Sequence, residues 1–213
     1  MKVLIQDNLS KKVLIWYDKN KRDLPWRKSK KNLDPYQTWI SEIMLQQTTV
    51  EAVIPFFYKF INKWPTINKL SKSKVEDVMD AWSGLGYYSR AKNIHKTAKI
   101  INEQHKNQIP DEYEELIKLP GIGPYTAGAI LTIAFNKKAS VVDSNIERII
   151  LRIRGIKEPK ERVKKELIKI SEDLCPEKRS GDYVQAMMDL GSAICKAKNP
   201  LCDSCPIQKF CFS

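Results

Sequence analysis

Leu119-Pro-Gly-Ile-Gly-Pro-Tyr-Thr-Ala127 joins two stretches of helical periodicity, and its composition dictates how they meet. Gly121 and Gly123 open backbone conformations closed to other residues and carry no side chain to keep a partner away. Pro124 suits the first turn of the next helix, whose unpaired amides then point back into the turn. Such a turn offers N–H donors and a positive helix end to an anion. Outward from it, 3.6-residue patterns recur almost throughout, strand-like alternation is nearly absent, and glycine is scarce, with 8 in 213 residues. Helices are expected near 9–17, 36–47, 50–63, 75–82, 89–104, 112–118, 125–135, 146–154, 163–173 and 183–197. A lysine-rich loop at 28–32 precedes the second, which carries Trp39, Ile40, Ile43 and Met44 on one face. Pro55 must start or kink the third. The pattern implies an all-α protein of about ten short helices joined by tight turns.

Lys and Arg number 37 against 25 Asp and Glu, a net charge of +12 spread along the chain. The plainer reading is a basic surface; the functional one is an acidic partner, nucleic acid or anionic membrane. No long apolar run or basic amphipathic anchor supports membrane, and the apolar stretch in the opening MKVLIQDN is too short for a signal peptide. The expected setting is intracellular and DNA-associated.

Four of the five cysteines crowd into the last nineteen residues as Cys195-x6-Cys202-x2-Cys205-x5-Cys211. An intracellular chain keeps its thiols reduced, so metal ligation is the better reading than disulfides. Structural zinc favours two close cysteine pairs or one pair with histidines. Four thiolates with a single C-x2-C suit a 4Fe-4S cluster better, zinc remaining the alternative. Cys175 lies outside the loop and reads as an ordinary half-buried thiol.

The string LPGIGPYTA resembles the helix–hairpin–helix motif, which grips DNA backbone without reading sequence. With the cysteine loop downstream, the chain resembles the helix–hairpin–helix DNA glycosylases that carry a 4Fe-4S cluster, and among them the MutY-type adenine DNA glycosylases. The matching strings are Arg22-Asp-Leu-Pro-Trp-Arg27, Asp34-Pro-Tyr36, Trp39-Ile-Ser-Glu-Ile-Met-Leu-Gln-Gln-Thr48 and Gly84-Leu-Gly-Tyr-Tyr-Ser-Arg90. They continue with LPGIGPYTAGAI, Val142-Asp-Ser-Asn145, Gln185-Ala-Met-Met-Asp-Leu-Gly191 and the cysteine loop. The resemblance covers nearly the whole chain. It implies two helical lobes around a DNA-binding cleft: 27–133 as a six-helix barrel with the hairpin near 112–135, and 1–26 plus 134–213 with the cluster loop at 195–211.

Breaking an N-glycosidic bond through an oxocarbenium-like transition state calls for an acid at the leaving group and an anion near the sugar. Glu42 lies in an unusually apolar helix, where desolvation would keep a proton available. Read alone it is a solvated helix-face glutamate; the resemblance makes it the catalytic acid. Asp143 precedes a helix and read alone is its cap; the capping box Ser144-x-x-Glu147 offers Ser144 for that role, which would leave Asp143 facing the cleft. There the resemblance implies a carboxylate that stabilises the cationic sugar, although Ser144 stands where the family usually has glycine. Tyr125 occupies the position of the Schiff-base lysine of endonuclease III-type enzymes, and a phenol cannot form that adduct. By the same resemblance Gln47 and Tyr87 or Tyr88 wedge into the duplex, and Gly121 and Gly123 hold its backbone. Arg22, Leu24 and Trp26 would line the base pocket; Trp26 and Tyr88 read equally well as core aromatics. His95 and His105 look like helix-surface residues.

The implied function is monofunctional excision of adenine mispaired with guanine or 8-oxoguanine in double-stranded DNA, by a monomer. Removal of thymine from G·T mismatches and a non-catalytic DNA-binding module are the competing readings. MutY-type enzymes usually continue past the cluster into a Nudix-like domain that reads the 8-oxoguanine, so a catalytic core without it is expected here.

Overall fold

Each expected helix has a counterpart in the computed structural model, which describes residues 2–28 and 33–212. In chain order these are α1 (Lys2–Asn20), α2 (Pro35–Leu45), α3 (Val50–Lys63), α4 (Ile67–Ser71), α5 (Val75–Ala81) and α6 (Ser89–Gln104). They continue as α7 (Tyr113–Leu116), α8 (Pro124–Phe135), α9 (Ser144–Arg154), α10 (Lys160–Leu174) and α11 (Ser180–Ala193). Short 3₁₀ turns occupy Pro25–Arg27, Cys202–Ser204 and Gln208–Phe210. Among the described residues there is no strand, so the all-α expectation holds, and no helix is long and apolar enough to cross a membrane. Of the lysine-rich loop, Ser29–Asn32 lie outside the described residues.

The chain divides into two compact units, Asp23–Ile130 and Met1–Arg22 with Leu131–Ser213. In the first, three helices start by one device: Asp34 accepts from the Tyr36 amide at 2.9 Å, Thr49 from Ala52 at 3.4 Å and Thr66 from Lys69 at 3.3 Å. Each cap answers an amide the first turn leaves unpaired and contributes about 1 kcal/mol. Pro55 does not start α3; the helix runs through it, with the proline on the exposed side and the Glu51 carbonyl deprived of its intrahelical donor. Behind these helices Phe60 meets Trp64 at 4.8 Å and Trp82 edge-on at 6.1 Å, and Trp39, Ile40 and Ile94 complete the buried centre. His95 belongs to this interior, against expectation. Its ring Nε2 lies 2.9 Å from the Ser73 carbonyl, a contact from α6 to the turn after α4 that periodicity along α6 alone does not display.

In the second unit α11 packs against α1 and α9. Glycines make that closeness possible. A Cβ at Gly181 would fall 2.5 Å from the Thr132 carbonyl oxygen, and one at Gly191 would fall 2.5 Å from the Asn145 Cβ. Outside α11, Asn136 Oδ1 accepts from Ser180 Oγ at 3.1 Å and the Gly181 amide at 3.3 Å, so a distant side chain caps the helix. Gly155, at φ +63°, ends α9 in the left-handed conformation.

Candidate active site and cluster loop

In the hairpin, Leu119 and Ile122 are buried and anchor the turn, which closes through the Ile122 amide to the Leu119 carbonyl at 3.1 Å. Thr97 Oγ1, on α6, donates to the Pro120 carbonyl at 2.9 Å and ties the turn down from below. Gly121 is required twice over: its φ is +81°, and a Cβ there would lie 2.9 Å from that of Asn93. Gly123 has open space around it and is exposed, as is Pro124, where α8 begins. The turn therefore presents bare backbone and a helix N-terminus to solvent, the arrangement that receives a phosphate.

The first turn of α8 also carries Tyr125, whose hydroxyl donates to Glu42 Oε2 at 3.1 Å. Glu42 is only 6% exposed, in a helix where Tyr36 and every residue from Thr38 to Met44 are buried. Two sequence-expected residues separated by 83 positions thus meet as an acid–phenol pair. On the same unit Leu24 and Trp26 are buried, Trp26 standing edge-on to Phe57 at 5.3 Å. Arg22 belongs to the other unit, where its Nε donates to Asp189 Oδ1 at 2.7 Å and its Nη2 lies 2.6 Å from the same oxygen.

Gln47 and Tyr87 stand at exposed loop tips, both with left-handed backbone at φ +57° and +48°, and Tyr88 is exposed beside Tyr87. Sequence reasoning missed the residue beneath them. Arg90, 6% exposed, gives its Nη1 to the carbonyls of Ile43 at 3.1 Å, Met44 at 2.7 Å and Gln46. Its Nη2 reaches Thr48 Oγ1, the Leu85 carbonyl and the Gly86 carbonyl, each at 3.1 Å. Burial lowers the pKa of its guanidinium.

Of the two capping readings, the structure takes the plainer one. Asp143 is itself the N-cap of α9, Oδ1 accepting from the Ile146 amide at 2.7 Å, while Ser144 is the first helical residue. Asp143 wins because a carboxylate at the helix start meets both the unpaired amides and the positive dipole end. Its other oxygen accepts from Asn145 Nδ2 at 3.0 Å. Further along α9, Arg148 donates to Asn145 Oδ1 at 2.8 Å, the Gly191 carbonyl at 2.7 Å and the Cys195 carbonyl at 2.8 Å. Arg152, one turn on, donates to Cys195 Sγ at 3.1 Å and to the Lys196 carbonyl at 2.8 Å. This pair was overlooked, although i,i+4 spacing marks them as one helix face.

The donor set of the cysteine loop fits an iron–sulfur cluster. Its four thiols are free of disulfides and include no imidazole neighbour in the motif. Burial raises the Cys205 thiol above its ordinary value, and the thiols of Cys195, Cys211 and Cys202 push it the same way. Among the described residues no three His, Cys, Asp or Glu side chains are arranged to hold a single metal ion. Cys175 lies apart and fully buried rather than half-buried, its thiol pushed up to about 11 by burial.

Residues 40–173 match the HhH-GPD superfamily base excision DNA repair proteins, and residues 195–211 match the iron–sulfur binding domain of endonuclease III. An adenine DNA glycosylase of Buchnera aphidicola subsp. Acyrthosiphon pisum is 46% identical over 207 residues, covering 96% of this chain and 58% of that one. The chain thus spans less than two thirds of the length of this relative. The structure of a thermostable thymine-DNA glycosylase superposes with a TM-score of 0.87 at 28% identity, over 98% of this chain and 95% of that one. A trapped endonuclease III–DNA covalent intermediate gives 0.76 at 24% identity, over 100% and 96%, a likeness of fold.

Proposed function

Because the chain belongs to the HhH-GPD superfamily of base excision DNA repair proteins, we propose that it is a monofunctional DNA glycosylase hydrolysing the N-glycosidic bond of adenine mispaired with guanine or 8-oxoguanine. It would act as a monomer on duplex DNA inside the cell. The observation that carries this reading is the buried Glu42 carboxyl held by the Tyr125 hydroxyl at 3.1 Å. A carboxyl withdrawn from water is suited to keeping and delivering a proton, and the phenol fixes which oxygen faces the substrate.

In the reaction the target nucleotide leaves the stack, Gln47 and Tyr87 or Tyr88 take up the space, and the hairpin around Gly121 and Gly123 holds phosphate. Glu42 gives its proton to a ring nitrogen of adenine as the C1′–N bond breaks, and the bonding pair leaves with the base. The Asp143 carboxylate, its oxygens fixed by the Ile146 amide and Asn145, stabilises the cationic sugar until water adds at C1′, the proton it releases restoring the Glu42 acid. Tyr125 offers no amine, so no Schiff base forms and the strand stays intact. Leu24 and Trp26 are assigned to the base pocket; Arg22, ion-paired with Asp189, carries the same assignment from the resemblance.

The segment from Cys195 to Cys211 is an iron–sulfur binding domain of the endonuclease III type. Cys195, Cys202, Cys205 and Cys211 would hold a 4Fe-4S cluster, which when bound supplies a one-electron redox centre and a rigid cross-link for the loop. Arg152 donates to the Cys195 sulfur and Arg148 to its carbonyl, so both fix the ligand's orientation.

The likeness to a thymine-DNA glycosylase structure favours G·T mismatches as a second reading. An excision panel decides between them: duplexes carrying A opposite 8-oxoguanine, A opposite guanine, and T opposite guanine. Release of adenine alone supports the first reading; release of thymine alone replaces it with the second.

A further inference from the structure

Gln47 and Tyr87 sit on separate loops 40 positions apart, yet both turns rest on the same buried group. The first turn follows α2, whose last carbonyls have no intrahelical donor. The second is the glycine-rich turn before α6, where Gly84 and Gly86 also take positive φ, +97° and +76°. Arg90 answers both. One terminal nitrogen of its guanidinium binds the Ile43, Met44 and Gln46 carbonyls at the end of α2, and the other binds Thr48 Oγ1 and the Leu85 and Gly86 carbonyls. The cation also lies 5.3 Å from the Tyr87 ring and 5.4 Å from that of Trp82.

This is more than a helix cap. Three acceptors belong to the Glu42 helix and its exit, and the others flank the two strained tips. A planar fork with five N–H donors spans them in one rigid piece; an ammonium cannot, having three donors at a single point. Arg90 Nε is buried with no partner among the described residues, so the group accepts an unmet donor in order to sit where its two ends reach both turns.

We propose that Arg90 is a positioning residue for base extrusion: it fixes the spacing of the Gln47 and Tyr87 tips so that both enter the duplex at one base step. The inference rests on the glycosylase reading above and concerns the step before chemistry. Extrusion from a paired stack requires both tips in register, whereas an unpaired base needs little help to leave. The loss caused by disturbing Arg90 therefore depends on the substrate.

The test compares single-turnover release of adenine from an A·G duplex and from a duplex in which the same adenine is a one-base bulge. Arg90→Lys should slow release from the mispair about tenfold or more and from the bulge less than about threefold. Thr48→Val removes one contact to the first turn, leaves the rest of the clamp, and should shift the same ratio in the same direction by a smaller factor. It keeps the test open if Arg90→Lys folds poorly. A separate readout needs no excision: with Glu42→Gln as background and 2-aminopurine as the target base, binding should brighten the probe, and adding Arg90→Lys should remove most of that gain. Equal losses on mispair and bulge, or undiminished brightening, overturn the inference and leave Arg90 a stabilising cap. If the unsubstituted protein releases no adenine from either duplex, the proposed function fails, while the fluorescence comparison still decides the role of Arg90.

Discussion

Gly191→Ala is the substitution whose consequence can be followed furthest. A Cβ at this position would lie 2.5 Å from the Asn145 Cβ and 3.1 Å from its Cα. Ordinary contact begins near 3.4 Å, so the two helices must separate by about 1 Å, and Asn145 cannot evade by rotating because the clash is at the root of its side chain. Asn145 holds Asp143 Oδ2 at 3.0 Å and is itself held by Arg148 at 2.8 Å. Overpacking of this kind costs about 1–3 kcal/mol, equivalent to a melting temperature lower by roughly 2–12 °C in a chain of this length. If Asp143 stabilises the sugar cation, a displacement of about 1 Å should also slow excision about a hundredfold. Single-turnover rates should be measured on an A·G duplex at a temperature where circular dichroism shows the variant fully folded. A lowered melting temperature with excision within about threefold of the parent would refute the argument, since Asp143 would then tolerate the displacement.

Glu42→Gln should lower base release about a hundredfold or more while duplex affinity in a gel-shift assay stays near the parent's, because the amide keeps the shape but has no acidic proton. Gly123→Ala meets nothing within 4 Å among the described residues, so its melting temperature should stay within about 1–2 °C, and, if the hairpin holds phosphate as proposed, the loss should appear in DNA affinity. Borohydride added during turnover should trap no protein–DNA adduct, and the product strand should break only after alkali; efficient trapping would remove Tyr125 from its assigned place. The purified protein should be brown with about four irons per chain, and Cys202→Ala should lose them; a colourless protein with one zinc would contradict the cluster.

The helices were readable where periodicity and caps agreed. The bounds expected for α3 and α6 match the structure, and α2 begins at Pro35 behind the Asp34 cap. Five-residue α4 escaped because one turn carries too little pattern, although Thr66 marks its start. The expected extension of α11 to 197 fails because the Ile194 and Cys195 amides both return to the Leu190 carbonyl and turn the chain into the cluster loop. Ser144 and Asp143 compete for one cap, and a motif cannot say which wins. Arg90, Arg148 and Arg152 were invisible as functional residues for a common reason. Each is defined by carbonyls it reaches across more than 40 positions, and carbonyls leave no trace in a sequence.

The division of the chain has a consequence for its synthesis. Asp23–Ile130 is continuous, and its helices can assemble once that stretch has left the ribosome. The other unit is interrupted by it: α1 buries Leu9, Val13 and Tyr17, and its packing partners α10 and α11 are translated only after the whole of Asp23–Ile130. At about 5–20 residues per second, α1 waits on the order of ten to thirty seconds for them. During that interval its apolar stripe is uncovered, and the Asp18 carboxylate lacks Arg179, which later binds it through Nη1 at 3.2 Å. The α1 stripe is therefore open to chaperones and to aggregation until those helices arrive.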